Sequence, residues 1–262
     1  MDAPRRGAWC LTGAVERPLT LVTGGTRGIG AATALRLAAD GHDLVLGYAR
    51  DDAAAEEARL AVEDAGARCL VVRADLMESV GVDELFARSA EHGWLTGVVN
   101  NAGATLHIGK LADTPVDVIR ATVDLNLTSA LLVARAAVHA LGTSYGGSGG
   151  VIVNVSSGAA TLGSPVEYVQ YAAAKAGVDA LTIGLAQEVA DEGIRVVGVA
   201  PGIVRTRIHE DAGDAGRLER VPQRVPLGRP GEPGEVADAI AFLMSDQASY
   251  VTGTTLRVAG GR

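Results

Sequence analysis

Lysine is almost missing from this chain. Of 23 basic residues in 262, only Lys110 and Lys175 are lysines, and the rest are arginines. Cysteine is as scarce. Cys10 and Cys69 show no C-x-x-C or metal-ligand spacing, which excludes a disulfide framework and a zinc site and predicts no metal. Reduced thiols of a cytoplasmic protein are the expectation. Aromatic residues make up 3%, so there is little material for stacking nucleic-acid bases. Acidic residues outnumber basic ones 31 to 23, a net charge of −8, which disfavours a nucleic-acid partner. No apolar run approaches the ~20 residues of a membrane span, so no membrane partner is expected. Residues 1–17 carry Pro4, Arg5 and Arg6 but no adequate apolar stretch for a signal peptide, and are read as a flexible tail.

What the chain does have is aliphatic and small. Hydrophobic residues reach 48%, enough for a sizeable core, and the length fits one large α/β domain or two small ones.

One lysine sits in a telling place. Tyr171-Ala172-Ala173-Ala174-Lys175 puts a phenol and an ammonium four residues apart in an alanine-rich run. Alanine is the strongest helix former, so both side chains should share a helix face. A nearby cation favours the phenolate and should lower a phenol pKa from its usual ~10. A phenol tuned in that way exchanges protons near neutral pH. Ser157 ends the apolar run Val151–Val155 just upstream, with Ser156 as a competing candidate. Its hydroxyl is placed to bond the oxygen being protonated. The duller alternative is a surface tyrosine beside a snorkelling lysine.

A second motif lies near the start. Leu19–Thr23 reads as a short strand, Gly24-Gly25-Thr26-Arg27-Gly28-Ile29-Gly30 as a turn, and the next residues through Ala39 as a helix. Strand, glycine turn and helix are the context of a dinucleotide site, because backbone amides and a helix N-terminus face the phosphates. Tight packing of a strand on a helix also demands glycine, so this turn alone decides little.

Taken with Asn100-Asn101-Ala102-Gly103, Asn126, Ser157, Tyr171-x-x-x-Lys175 and Pro201-Gly202, the order resembles the short-chain dehydrogenases/reductases over residues 18–262. Within that family the chain looks most like NADP-dependent 3-oxoacyl-carrier-protein reductases and glucose-dehydrogenase-like oxidoreductases. The resemblance implies a single doubly wound α/β Rossmann domain with a seven-stranded parallel sheet. It implies catalytic roles for Asn126, Ser157, Tyr171 and Lys175. Asn126 would open its helix locally and hold a water that links Lys175 to solvent. It implies that NADP(H) is held by Gly24, Thr26, Arg27, Gly28, Ile29 and Gly30 in the turn, and by Asn101, Ala102 and Gly103. Asp75 and Leu76 would border the adenine, although Asp75 also suits an N-cap for a helix near Ser79. Tyr171 and Lys175 would meet the nicotinamide ribose, and Pro201, Gly202, Val204 and Thr206 the nicotinamide. Relatives often form tetramers through the helix that carries Tyr171, whose Leu181, Leu185 and Val189 share one face. A homotetramer is therefore expected.

The remaining strands are expected at Asp43–Tyr48, Arg68–Arg73, Leu95–Asn100, Ile194–Ala200 and Thr254–Val258. Helices are expected from Glu56 to Ala65, from Pro115, from Tyr171 to about Ala190 and from Glu235 to Ser245. The second strand ends at Ala49-Arg50 where NAD-specific relatives place a carboxylate, so Arg50 and Arg27 are expected to face a 2′-phosphate. Residues 203–229 lose periodicity and read as a substrate lid. The arginines there (Arg205, Arg207, Arg217, Arg220, Arg224, Arg229) read first as solvated surface, with attraction of an anionic substrate as the alternative. Two departures from the family pattern are Val197, where many relatives have Asn, and Ala259, where many have Asp. The expected reaction is hydride transfer between NADP(H) and a small carbonyl or alcohol substrate. A non-catalytic NADPH-sensing protein and a sugar epimerase or dehydratase are the competing readings.

Overall fold

Strands β1 (Leu19–Thr23), β2 (Asp43–Tyr48), β4 (Leu95–Asn100), β5 (Gly150–Val155) and β6 (Ile194–Pro201) are buried along nearly their whole length. Such strands belong in a parallel sheet covered on both faces. In the computed structural model, which describes residues 17–262 except 209, 211, 215, 217 and 221–224, all seven strands pair in parallel. The order is β3-β2-β1-β4-β5-β6-β7, with β3 (Cys69–Arg73) and β7 (Thr255–Val258) at the edges. These edge strands are the least buried, as fewer neighbours cover them.

Side chains alternate across the sheet into two cores. Val22, Leu44, Leu46, Val99 and Val153 meet helices α1 (Gly28–Ala39), α2 (Asp52–Asp64) and, nearer the chain's end, Pro233–Met244. Leu21, Val45, Val98 and Ile152 meet α3 (Ser79–His92) and the helices at Ser129–Leu141 and Val169–Glu188. Chain order after α3 gives α4 (Val116–Val123), α5 (Ser129–Leu141), α6 (Ala159–Leu162), α7 (Val169–Glu188) and α8 (Pro233–Met244). α2 begins earlier than its pattern suggests because the Asp51 carboxylate caps it, accepting from the Ala54 amide at 3.0 Å.

α4 and α5 run as one helix from Val116 to Leu141, long and apolar enough by composition to cross a bilayer, yet its Val133, Ala137 and Leu141 are fully buried against the sheet. The two halves join through a π-helical turn at Asp124–Thr128. The local opening expected at Asn126 is therefore present. The face of α7 expected to be free is not: Val189 is buried and Leu185 packs on the same core. α7 lies flat on the sheet, and that packing consumes its aliphatic stripe. The outward face carries Ala173, Ala176, Ala180, Ile183 and Gly184 instead. Arg17, assigned to the tail, donates to the Gly41, Gly66 and Ala38 carbonyls. The rest of that tail, with Cys10, lies outside the described residues.

Candidate active site

Strand order reverses at β1 and β4, and ligands of doubly wound sheets bind beyond the strand ends at such a point. The loops that leave β1 and β4 are tied together there. The Thr23 hydroxyl accepts from the Asn101 and Ala102 amides at 2.9 and 3.0 Å, and the Asn101 amide group donates to the Thr23 and Gly24 carbonyls. Asn100 spans the sheet below, donating to the Ala130 carbonyl and the Asn154 side chain.

The glycine turn then enters α1. A Cβ on Gly30 would run into the Gly24 carbonyl, so the helix can approach the turn this closely only with glycine there. Arg27 is the N-cap, and its side chain does not cap the helix. The first-turn amides of α1 are left for a ligand, and the helix dipole favours an anion. This cradle fits the pyrophosphate of a dinucleotide.

A cleft of about 310 Å³ opens from this turn. Its lining includes Gly24, Arg27, Gly28 and Ile29 from the turn and Asn101, Ala102 and Gly103 from the β4 loop. It also includes Ser157, Tyr171 and Lys175, together with Pro201, Gly202, Val204 and Thr206 after β6. These sequence-predicted residues thus come together from five separate stretches. Asn126 lies fully buried behind the wall, where its Oδ1 accepts from the Ala104 amide at 3.1 Å and its Nδ2 donates to the Ala104 and Thr122 carbonyls. Gly103 lies between: a Cβ there would sit 2.6 Å from Asn126 Oδ1 and 3.2 Å from Lys175 Nζ. Thr26 and Gly30 belong to the same turn. Arg50, Asp75 and Leu76 lie away from this cleft, after β2 and β3. Arg50 is exposed, and Arg27 reaches the Asp51 carboxylate at 3.4 Å. Asp75 does not cap α3, which starts from Glu78; its carboxylate accepts from the Met77 amide at 3.0 Å.

The two candidate serines separate cleanly. Ser156 is buried and donates to the Lys175 carbonyl at 3.2 Å. Ser157 lies beside the Tyr171 phenol, where its hydroxyl favours the charged form, and accepts from the Ala159 amide at 3.1 Å. Tyr168 stacks edge-on against Tyr171, with ring centres 5.5 Å apart, and shares a small apolar cluster with Ala159, Ala172 and Ile108.

The electrostatics correct one expectation. Burial drives the Tyr171 phenol up to about 12, and the Ser157 hydrogen bond only partly opposes it. Lys175 does not lower it here. The ammonium lies 5.8 Å from the Tyr171 ring centre and donates to the Val155 carbonyl at 2.8 Å. Lys175 is itself pushed down to about 8 by burial, with Asp179 opposing weakly. Both side chains are buried, and desolvation disfavours the charged form of each.

Arg207, named among the arginines of the expected lid, lines the cleft. Sequence reasoning overlooked several other lining residues. Ile208 approaches from the same segment, where the Thr105 hydroxyl donates to its carbonyl at 3.1 Å. Arg257, Ala259 and Arg262 enter from the far edge of the sheet. No local motif marks them; only the parallel pairing of β7 with β6 brings them near. Among the expected lid arginines, Arg205 and Arg229 are ion-paired with Glu232 and Glu235, and Arg220 with Asp214. Arg217 and Arg224 lie outside the described residues.

Comparison with known proteins agrees with this geometry. A family model described as enoyl-(acyl carrier protein) reductase matches residues 24–262. The chain is 43% identical over 245 residues to the uncharacterized oxidoreductase YgfF of Escherichia coli (strain K12), covering 93% of this chain and 99% of that protein. It is 40% identical to 3beta-hydroxysteroid dehydrogenase 1 of Eggerthella lenta, covering 92% of each. The crystal structure of a short-chain type dehydrogenase/reductase from Mycobacterium marinum superposes with a TM-score of 0.87 at 30% identity, over 93% of this chain and 94% of that one. With its parallel seven-stranded sheet, its glycine cradle and these relatives, the chain belongs to the short-chain dehydrogenase/reductase family of oxidoreductases.

Proposed function

We propose that this oxidoreductase interconverts a carbonyl compound and a secondary alcohol with NADP(H). The observation that carries the reading is the meeting of Ser157, Tyr171 and Lys175 in one cleft with the glycine cradle. The name of the Eggerthella lenta relative refers to a hydroxysteroid, which supports an alcohol–carbonyl couple.

The cofactor, when bound, exchanges a hydride with the substrate carbon. Gly24, Thr26, Arg27, Gly28, Ile29 and Gly30 would hold its pyrophosphate, with Asp75 and Leu76 near the adenine and Asn101, Ala102 and Gly103 along the adenosine ribose. Pro201, Gly202, Val204 and Thr206 would hold the nicotinamide. Arg50 and Arg27 would read the 2′-phosphate, since no carboxylate stands at Ala49 to repel it.

The proton steps fall to this chain's own groups. Ser157 orients and polarises the carbonyl oxygen. Tyr171, kept protonated by burial, gives its proton to that oxygen as the alkoxide forms. Lys175, beside the Tyr171 ring and tied to the Val155 carbonyl, would bond the nicotinamide ribose. Asn126 holds the Ala104 backbone open beside Lys175 and supports a water path for proton return. We place the enzyme in the cytoplasm, as a homotetramer.

The test is NADPH absorbance with a panel of 3-oxoacyl thioesters, sugars, quinones and simple ketones. Oxidation of NADPH by at least one class is expected. Tight NADPH binding with no turnover on any class would instead favour a cofactor-sensing protein.

A further inference from the structure

In a chain of net charge −8, the cleft is lined among the described residues by Arg27, Lys175, Arg207, Arg257 and Arg262, with no Asp or Glu. Arg27 stands at the glycine turn and Lys175 beside Tyr171. Arg257 stands elsewhere. Its strand, β7, is four places from β1, or roughly 19 Å at ~4.8 Å per strand. The side chain reaches back only as far as the turn after β5. There its Nη1 donates to the Thr161 hydroxyl at 2.7 Å and its Nη2 approaches the Gly158 carbonyl at 3.5 Å. Gly158 follows Ser157 directly, and its amide is fixed to the Pro201 carbonyl at 2.7 Å. The guanidinium is therefore held one residue from the serine that faces the substrate oxygen.

Arg257 also differs from the arginines of the lid. Arg205, Arg220 and Arg229 are each neutralised by a carboxylate. Arg257 has no carboxylate partner among the described residues; its contacts are a hydroxyl and a carbonyl. A guanidinium carries five N–H donors, and these contacts use two, which leaves three for an oxyanion. Leu162, Tyr168 and Ile208 supply apolar wall to the same cleft. Arg27 is shared with Asp51, but no Asp or Glu lines the cleft, and that surplus of cations strengthens the pull on an anion.

We propose that Arg257 recognises an anionic group of the substrate, and that the substrate is an oxo acid or oxo phosphate ester rather than a neutral ketone. Thr161 is the positioning residue that holds the guanidinium. This inference rests on the reading of the cleft as a carbonyl-reducing site.

Two matched pairs test it. One is 4-oxopentanoate against its methyl ester; the other is dihydroxyacetone phosphate against dihydroxyacetone. Wild-type enzyme should favour the anionic member of at least one pair by tenfold or more in kcat/KM, mainly through KM. The pair that shows it distinguishes carboxylate from phosphate. R257L should remove that preference and leave the neutral members unchanged. R257K, which keeps charge but loses the fork, and T161V, which frees the guanidinium, should fall between. Added salt should raise KM for the anions only. Equal use of neutral and anionic members by the wild type, or an equal loss for both in R257L, overturns the proposal. Calorimetric titration of the two anions into the enzyme saturated with NADP⁺ reads the same site without turnover. Anion binding lost in R257L but with no reduction of any substrate would refute the carbonyl reading and keep the anion site. No anion binding to the wild type would refute the site.

Discussion

Lys175 should destabilise the free enzyme that depends on it. Burial lowers its pKa from 10.5 to about 8. At ~1.36 kcal/mol per tenfold change in proton affinity, that displacement corresponds to about 3 kcal/mol. The sign follows from linkage. Between these two values the unfolded chain binds the proton that the folded chain has lost. The cost is thus fully present below pH 8, fades as pH rises, and is gone above 10.5. Lys175→Met keeps the length and removes the charge. It also removes the bond to the Val155 carbonyl, which costs ~1 kcal/mol. The variant should be about 1–2 kcal/mol more stable than wild type at pH 7 and slightly less stable above pH 10.5. Urea unfolding of both proteins across that range, without cofactor, measures the crossing. A stability difference that does not change with pH, or a variant less stable at pH 7, would refute the reasoning.

Arg50→Ala should weaken NADPH binding about tenfold, as expected for one charge-assisted hydrogen bond discounted for nearby Asp51 and Asp52, with NADH nearly unchanged. Fluorescence titration with both cofactors checks it; an equal loss for both would show that Arg50 does not read the phosphate. Gly103→Ala should crowd Asn126 and Lys175 and lower kcat, while the far-ultraviolet circular dichroism stays that of the wild type. A fully active alanine variant would mean that these two groups need not keep their present places. Light scattering at micromolar concentration should report a tetramer, and a monomer would exclude it.

The parts of the site written locally were legible in the chain. Strand, glycine turn and helix are contiguous, and Tyr171 and Lys175 are one helical turn apart. The π turn at Asn126 follows from a polar residue set into a buried helix, where its amide takes up the Thr122 carbonyl. What spacing does not carry is depth. Spacing makes the phenol–ammonium pair a tuned couple on a helix face, but both groups are buried, and desolvation reverses the sign for Tyr171. The same applies to Val189, whose apolar stripe faces the sheet and not a neighbour. Arg257 was invisible because its role depends on the pairing of the last strand with β6, and the Arg27–Asp51 contact depends on the approach of two turns.

The central claim is that Tyr171 gives the proton in a carbonyl reduction. Tyr171→Phe removes one buried hydroxyl and leaves the ring that packs on Tyr168. With any carbonyl that the wild type reduces, the variant should bind NADPH as before and lose about 10²–10⁴-fold in kcat, the usual worth of a positioned general acid. Single-turnover NADPH oxidation on the two proteins measures it directly. A variant that keeps more than about a tenth of the wild-type rate would contradict the assignment.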